Sequence, residues 1–171
     1  MGVRAGSTVR RSRAVLALAA LLACGDDHPS APANAAPLTM VLDGVVFTPA
    51  TASATTDDFN MVRIVGADTT AGVARVLTLI TQTTTPGTFL LGNGLDRQGM
   101  AIYSETVDGQ TTFATGPGQL TITELSAARI AGTFAATLSA PGRVWMISNG
   151  TFSLPLVTLT AAGDRGNRVW H

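Results

Sequence analysis

Residues 118–156, GQLTITELSAARIAGTFAATLSAPGRVWMISNGTFSLPL, decide the fold. They divide at Ser126-Ala127-Ala128 and at Pro141-Gly142 into three runs with the period of a β-strand. In the first, Leu120 and Ile122 alternate with Thr121 and Thr123. In the second, Ile130, Gly132, Phe134, Ala136 and Leu138 share one parity, with Thr133 and Thr137 opposite. In the third, Val144, Met146, Phe152 and Leu154 are predicted on one face, and Trp145, Ile147 and Thr151 on the other. Successive side chains on a strand point to opposite faces, so this sheet has one apolar and one polar side. Its apolar side must be covered by a second layer, which the chain upstream has to supply.

The upstream chain has the same character. Leu38 to Phe47 reads as a hairpin turning at Asp43-Gly44, since both central positions of such a turn need positive φ. The polar run from Thr48 to Asn60 is predicted as a loop. Strands are predicted at Met61–Gly66 and Ala74–Thr81, with a turn near Asp68, then at Thr88–Leu91, Met100–Glu105 and Thr111–Phe113, the last following an Asp108-Gly109 turn. Leu156–Leu159 is a candidate closing strand, and the polar tail beyond Gly163 has no strand pattern. No stretch has helical periodicity. The fold class is therefore all-β: an antiparallel β-sandwich or flattened up-and-down barrel of about eight to ten strands. The barrel-like form fits better, with sequential neighbours pairing as meanders. The triplet Gly-Thr-Phe occurs at residues 87–89, 132–134 and 150–152, where glycine relieves a bend or bulge and the aromatic packs inward.

The N-terminus carries a different signal. Arg4, Arg10, Arg11 and Arg13 precede the apolar run Ala14–Ala23, which is shorter than the about 20 residues needed to span a bilayer. The run ends Leu21-Leu22-Ala23-Cys24, and Cys24 is the only cysteine of the chain. This arrangement resembles a bacterial lipoprotein signal, in which the cysteine after a small residue is acylated and becomes the new N-terminus. The expected organisation is a signal peptide over 1–23 and a flexible tether over 24–36 from lipidated Cys24. A single all-β domain over 37–160 and a polar tail over 161–171 complete it.

Charge narrows the possibilities. All eleven acids lie at or after Asp26, whereas four of the eleven arginines leave with the leader, so the processed chain carries −4. There is no lysine and no basic stripe, which speaks against nucleic-acid binding. With Cys24 used as an anchor no disulfide can form, and a body of about 120 residues must rely on a core that buries roughly two-thirds of its unfolded surface.

The order of the motifs identifies a resemblance. Leu42-Asp43-Gly44 leading to Phe47 is followed by Pro86-Gly87-Thr88-Phe89-Leu90-Leu91, Ala101-Ile102-Tyr103 and Gly118-Gln119-Leu120-Thr121-Ile122-Thr123. Ile130-Ala131-Gly132-Thr133-Phe134 and Ile147-Ser148-Asn149-Gly150-Thr151-Phe152 close the series. From Leu38 to Leu154 the chain resembles a family of secreted bacterial lipoproteins known only as a domain of unknown function. The resemblance implies an all-β lipoprotein domain and supplies no activity and no catalytic residue.

Candidate sites are few. The only histidines, His28 and His171, lie in the tether and at the terminus, so histidine-based catalysis and histidine or thiolate metal sites have no residues in the body. The acids Asp57, Asp58, Asp68, Asp96, Glu105, Asp108 and Glu124 read as loop or strand-end residues, with Asp43 and Asp108 explained by turns. Asp57-Asp58-Phe59-Asn60 and Asn93-Gly94-Leu95-Asp96 offer oxygens for calcium without the spacing of a calcium loop. Gly92-Asn93-Gly94 lacks the third glycine and the following helix of a phosphate loop. Phe89, Tyr103, Phe113, Trp145 and Phe152 read first as core. Trp145, predicted opposite Phe152, and Tyr103 are the candidate ligand or partner contacts.

The sequence thus leads to a non-enzymatic binding or interaction domain, held at the cell envelope by lipid on Cys24. The outer membrane is favoured because Gly25 replaces the aspartate that signals inner-membrane retention. No cofactor, catalytic residue or metal is expected, and the partner is an unknown protein or small molecule, not a nucleic acid. A carrier for small apolar ligands, with a cavity beside Gly132 and Ala136, is the alternative. A carboxylate-dependent glycoside hydrolase is the remote one.

Overall fold

In the computed structural model, residues 36–159 apart from Asp96 are described, and they contain eleven strands and no helix. The strands are β1 (Leu38–Leu42), β2 (Val45–Phe47), β3 (Thr51–Asp57), β4 (Met61–Thr70), β5 (Val73–Gln82) and β6 (Gly87–Leu91). They continue with β7 (Gly99–Val107), β8 (Gln110–Thr115), β9 (Gly118–Leu125), β10 (Arg129–Ala140) and β11 (Arg143–Leu159). The leader, Cys24, nearly all of the tether and the tail fall outside the described residues.

The hydrogen-bonded ladders close on themselves. Beginning at β11, each strand pairs with the next in the order β3, β4, β5, β7, β6, β9, β10, and β10 pairs with β11 again. A closed sheet leaves no long bare edge, which resolves the sandwich-or-barrel alternative in favour of a barrel. It is not a simple up-and-down barrel. Two pairings are parallel, β11 with β3 and β6 with β7, and β6 lies between β7 and β9 while β8 pairs with β7 and meets β10 only at Thr115. The β1–β2 hairpin is added to the outside edge of β11 through β1.

Alternation specifies the inside. On β10, Ile130, Gly132, Phe134, Ala136 and Leu138 are buried and their neighbours exposed or half-exposed, as the period-two reading expects. Leu77 and Leu79 of β5, Ala101 and Tyr103 of β7, Leu120 and Ile122 of β9, and Leu38 and Met40 of β1 join them in one core. The Asp-Gly turns form as expected, with φ of 50° and 83° at Asp43-Gly44 and 51° and 77° at Asp108-Gly109.

Two local expectations are corrected. The predicted loop over residues 48–60 contains β3, paired with β4 on one side and in parallel with the end of β11 on the other. Its only buried residue, Ala54, is too small to mark an apolar face. The turn expected near Asp68 falls at Ala71-Gly72, because β4 and β5 pair as far as Thr70 and Val73.

The third correction decides the site. On β10, Phe134 and Ala136 are two positions apart, whereas their partners on β11, Gly150 and Ile147, are three apart. β1 meets the same irregularity, pairing Thr39 with Thr151 but Val41 with Ser148. The extra residue is a β-bulge at Ser148-Asn149, with Asn149 at φ 50°. A bulge reverses the parity of everything beyond it. Trp145 and Ile147 therefore point inward with Phe152 and Leu154, while Val144 and Met146, predicted to share the inner face, are 57% and 64% exposed. Phe113, read as core, is also exposed.

Two of the Gly-Thr-Phe triplets lie antiparallel on neighbouring strands in the regular stretch next to the bulge, so that Gly132 faces Phe152 and Phe134 faces Gly150. A methyl group at Gly150 would stand 2.6 Å from three atoms of the Phe134 ring, and one at Gly132 would stand 2.7 Å from the Phe152 ring and collide with the Thr121 carbonyl. Each ring occupies the room that a missing side chain leaves, with the two rings 6.3 Å apart. On the outer face the middle residues continue into a rank across five strands: Thr39, Thr151, Thr133, Thr121 and Thr88. Hydroxyl contacts of 2.9 Å (Thr39 with Thr151) and 3.1 Å (Thr88 with Thr121) tie its two ends.

Candidate functional site

The inward parities of β5, β7 and β11 carry hydrophobic residues through the middle of the barrel and charged ones at one end. On β5 the series Thr81, Leu79, Leu77 ends at Arg75; on β7 Ala101 and Tyr103 end at Glu105; on β11 Ile147 and Trp145 end at Arg143. Arg75 and Glu105 are direct cross-strand partners. The arginine Nε donates to Glu105 Oε1 at 3.3 Å, and Arg143 Nη1 donates to Oε2 at 2.6 Å. One carboxylate, whose side chain is 10% exposed, is thus shared by two guanidinium groups that are 26% and 54% exposed. Burial of a lone carboxylate would be costly, and the double pairing offsets that cost.

Beneath the ion pairs lie the two aromatics singled out in the sequence. Tyr103 and Trp145 pack with ring centroids 5.6 Å apart and tilted by 54°, and the Arg143 guanidinium sits 4.5 Å above the indole. Such a cation–π contact contributes about 0.5–2 kcal/mol according to its desolvation. Both residues are fully buried, so neither presents a ring to solvent; they form the floor of the site and not its surface. The Tyr103 hydroxyl and Trp145 Nε1 have no hydrogen-bond partner. Arg75 is close enough to draw the phenol pKa partly down without bonding to it in good geometry, but burial and the Glu105 charge prevail and push it up to about 12.

The β1–β2 hairpin forms the opposite wall. Its tip is pinned to β11: Asp43 N–H donates to the Met146 carbonyl at 2.9 Å, and Met146 N–H donates to Asp43 Oδ1 at 2.8 Å. Leu42 and Phe47 pack partly against the core, and Val45 and Val46 are 69% and 73% exposed. Between this wall and Arg75, Glu105 and Arg143 runs a groove of about 310 Å³ that Asp43 also lines, so two arginines and two carboxylates border it. A depression of about 370 Å³ lies over the outer face, but Gln119, Thr121, Thr133, Asn149 and Thr151 leave it without a charged group.

The other candidates stay apart. Asp57 Oδ1 accepts from Phe59 and Met61 N–H, both at 2.9 Å, which makes it the organiser of the β3–β4 turn. Asp68 accepts from the Thr70 hydroxyl, and Glu124 pairs with Arg129 at the surface. Asn93 donates to the Thr115 hydroxyl, and Asp96 lies outside the described residues, as do His28 and His171. Among the described residues no three His, Cys, Asp or Glu side chains converge as metal ligands. Of the two positions expected beside an apolar cavity, Gly132 is filled by the Phe152 ring.

The sequence singles out Tyr103 and Trp145 and reads Glu105 only as a loop or strand-end acid; it does not single out Arg75 or Arg143, nor the hairpin as a wall beside them. The available signal was a charge on the buried parity of a strand: Arg75 two residues before Leu77, and Glu105 two after Tyr103.

The fold and this corner define an all-β barrel domain with an aliphatic groove and a charged cluster at one mouth. Residues 34–154 match the family described as domain of unknown function DUF6252, and the chain belongs to that family. No curated protein and no solved structure matches it.

Proposed function

We propose that this chain is a bacterial lipoprotein, processed before Cys24 and acylated there, whose barrel serves as a non-enzymatic binding module at the cell envelope. The mouth groove is its contact surface. The observation that carries the reading is the groove itself, which sets exposed aliphatic side chains against guanidinium groups on a rigid support. Glu105, the one carboxylate there with a nearly buried side chain, is held by two arginines and is poorly placed to act as a general acid or base. The lipobox-like Leu21-Leu22-Ala23-Cys24 supports the anchor, and Gly25 supports the outer membrane as its location.

The anchor is tested by expressing the full chain in a bacterial host. The expected result is a membrane-bound protein whose N-terminal peptide begins at acyl-modified Cys24, with Cys24→Ala released to the soluble fraction. A soluble wild type with an unmodified thiol would overturn the anchor. Native mass spectrometry of the detergent-extracted full chain tests the binding role, with an adduct that leaves on unfolding as the expected result. Turnover of an envelope glycan that is lost in Glu105→Gln would overturn the non-enzymatic reading.

A further inference from the structure

We propose that the C-terminal segment of this chain, residues 160–171, docks through Val169 and Trp170 on the outer face of β3, β4, β5 and β7. The proposal goes beyond the binding-module reading and makes no use of the mouth groove. Where the threonine rank crosses β1, β11, β10, β9 and β6, a second outward rank crosses β11, β3, β4, β5 and β7. It runs Val157, Thr55, Arg63, Ile80 and Met100, each the direct partner of the next. Leu159 and Met61 extend it on the side toward the end of β11. Val157, Leu159 and Met61 are 55%, 54% and 36% exposed, and Ile80 and Met100 are half-buried. A face of large aliphatic side chains running over five neighbouring strands marks an interaction surface, which single scattered ones would not.

The occupant follows from where the chain goes next. A depression of about 330 Å³ opens on this face, lined by Asp57, Met61, Arg63 and Ile80 and by Leu159, the last residue of β11. The following segment, TAAGDRGNRVWH, therefore leaves from the wall of the depression itself. Its only large apolar residues are Val169 and Trp170, side by side, and a tryptophan brings about 150–250 Å² of surface to bury. Trp170 stands eleven residues beyond Leu159, and an extended chain covers about 3.3–3.6 Å per residue, roughly 36–40 Å in all. From β11 to β7 is four strand spacings of about 4.8 Å, roughly 19 Å, so the indole reaches Ile80 and Met100 with slack for a turn. A short tether also holds it at an effective concentration on the order of mM, which favours it over a second copy in dilute solution. Charge does not choose the occupant, because Asp57 and Arg63 cancel within the depression. The apolar surface removed from water does.

The test uses the detergent-solubilised full chain. Trp145 and Trp170 are its only indoles, so the difference between the wild type and Trp170→Phe isolates the emission of Trp170. That emission is expected at shorter wavelength than from a synthetic peptide of residues 160–171 in the same detergent, with acrylamide quenching several-fold weaker. Ile80→Glu and, separately, Met100→Glu put a charge into the face and should return both readings to those of the peptide. Thr133→Glu, in the threonine rank, should leave them unchanged. Near-ultraviolet circular dichroism of the Tyr103–Trp145 pair, recorded in the Trp170→Phe background, shows that each variant keeps its core. Emission and quenching equal to those of the peptide overturn the proposal. So does a short-wavelength emission that neither glutamate variant moves, which would place Trp170 in the micelle or elsewhere on the barrel. A reading that changes as the protein is diluted would make the occupant a second copy, and overturns it as well.

Discussion

Gly150→Ala tests the packing that holds β10 and β11 together. The new methyl group would meet three atoms of the Phe134 ring at 2.6 Å. Ordinary carbon–carbon contact begins near about 3.5 Å, so the ring must retreat by roughly 1 Å. It has little space, being 4% exposed, and its neighbour Phe152 is itself fitted over Gly132. Overpacking of this kind costs about 1–3 kcal/mol, and three atoms met at once place this case in the upper half. Replacing glycine within a strand returns about 0.5–1 kcal/mol of conformational entropy. The net expected loss is about 1–2 kcal/mol, or a Tm lowered by roughly 4–8 °C for a body of this size. Thermal and urea unfolding followed by far-ultraviolet circular dichroism measure it. The partner is identified by a cycle with Phe134→Leu, which removes the ring edge that the methyl strikes. The double variant should be more stable than the sum of the single effects by at least about 1 kcal/mol, beyond the about 0.3–0.5 kcal/mol within which independent sites add. A neutral Gly150→Ala, or additivity within that margin, refutes the account of the paired triplets.

Tyr103 is the only tyrosine, so ultraviolet difference titration reads its phenol directly. Its pKa is raised to about 12 in the folded chain from the ordinary 10.0, chiefly by burial and next by the Glu105 charge. Only the neutral phenol suits the fold, so the stability it protects is complete below pH 10 and is lost as pH rises from about 10 to about 12. The loss should reach roughly 2–3 kcal/mol, and Tyr103→Phe should abolish that limb of the stability profile; a native phenol titrating near pH 10 would contradict it. Because the hydroxyl is buried without a partner, Tyr103→Phe at neutral pH should be neutral or stabilising by about 1 kcal/mol, and a loss above that in urea unfolding would reveal a missed hydrogen bond. At the bulge, Asn149→Gly should alter stability by less than about 0.5 kcal/mol, whereas a β-branched valine at φ 50° should cost about 1–2 kcal/mol. Equal effects from the two would argue against the left-handed backbone there.

Much of the barrel was legible because its information is local. The alternation of β10 and the two Asp-Gly turns need only neighbouring residues, and they appear where they were expected. What escaped depends on pairings between distant segments. β3 is a strand because the end of β11 and β4 flank it, and its own Thr-Ala-Ser-Ala-Thr-Thr-Asp has no large apolar residue to show this. Arg75 meets Glu105 because β5 pairs with β7 and bypasses β6, contrary to the expectation that sequential strands are neighbours.

The bulge at Ser148-Asn149 connects the fold to the site. Suppose β11 ran regularly from Phe152 toward its start, with Phe152 inward. Even-numbered residues would then face the core, placing Met146 and Val144 inside and Trp145 and Arg143 on the outer surface. Glu105 would retain Arg75 but lose its shorter, 2.6 Å partner, and Tyr103 would lose the ring that packs against it. One additional residue reverses this. It brings Trp145 into the barrel and carries Arg143 over it to the mouth, where the chain also pins the tip of the β1–β2 hairpin through Met146. The same residue interrupts the outer face beside the threonine rank, so the cost of the irregularity falls on an exposed surface and its consequence on the Arg75–Glu105–Arg143 corner of the barrel. Periodicity read along the chain assigns Trp145 to the wrong side of Phe152 for this reason alone. The local warning was Ser-Asn-Gly in the middle of an otherwise regular strand, three residues suited to leaving the β conformation.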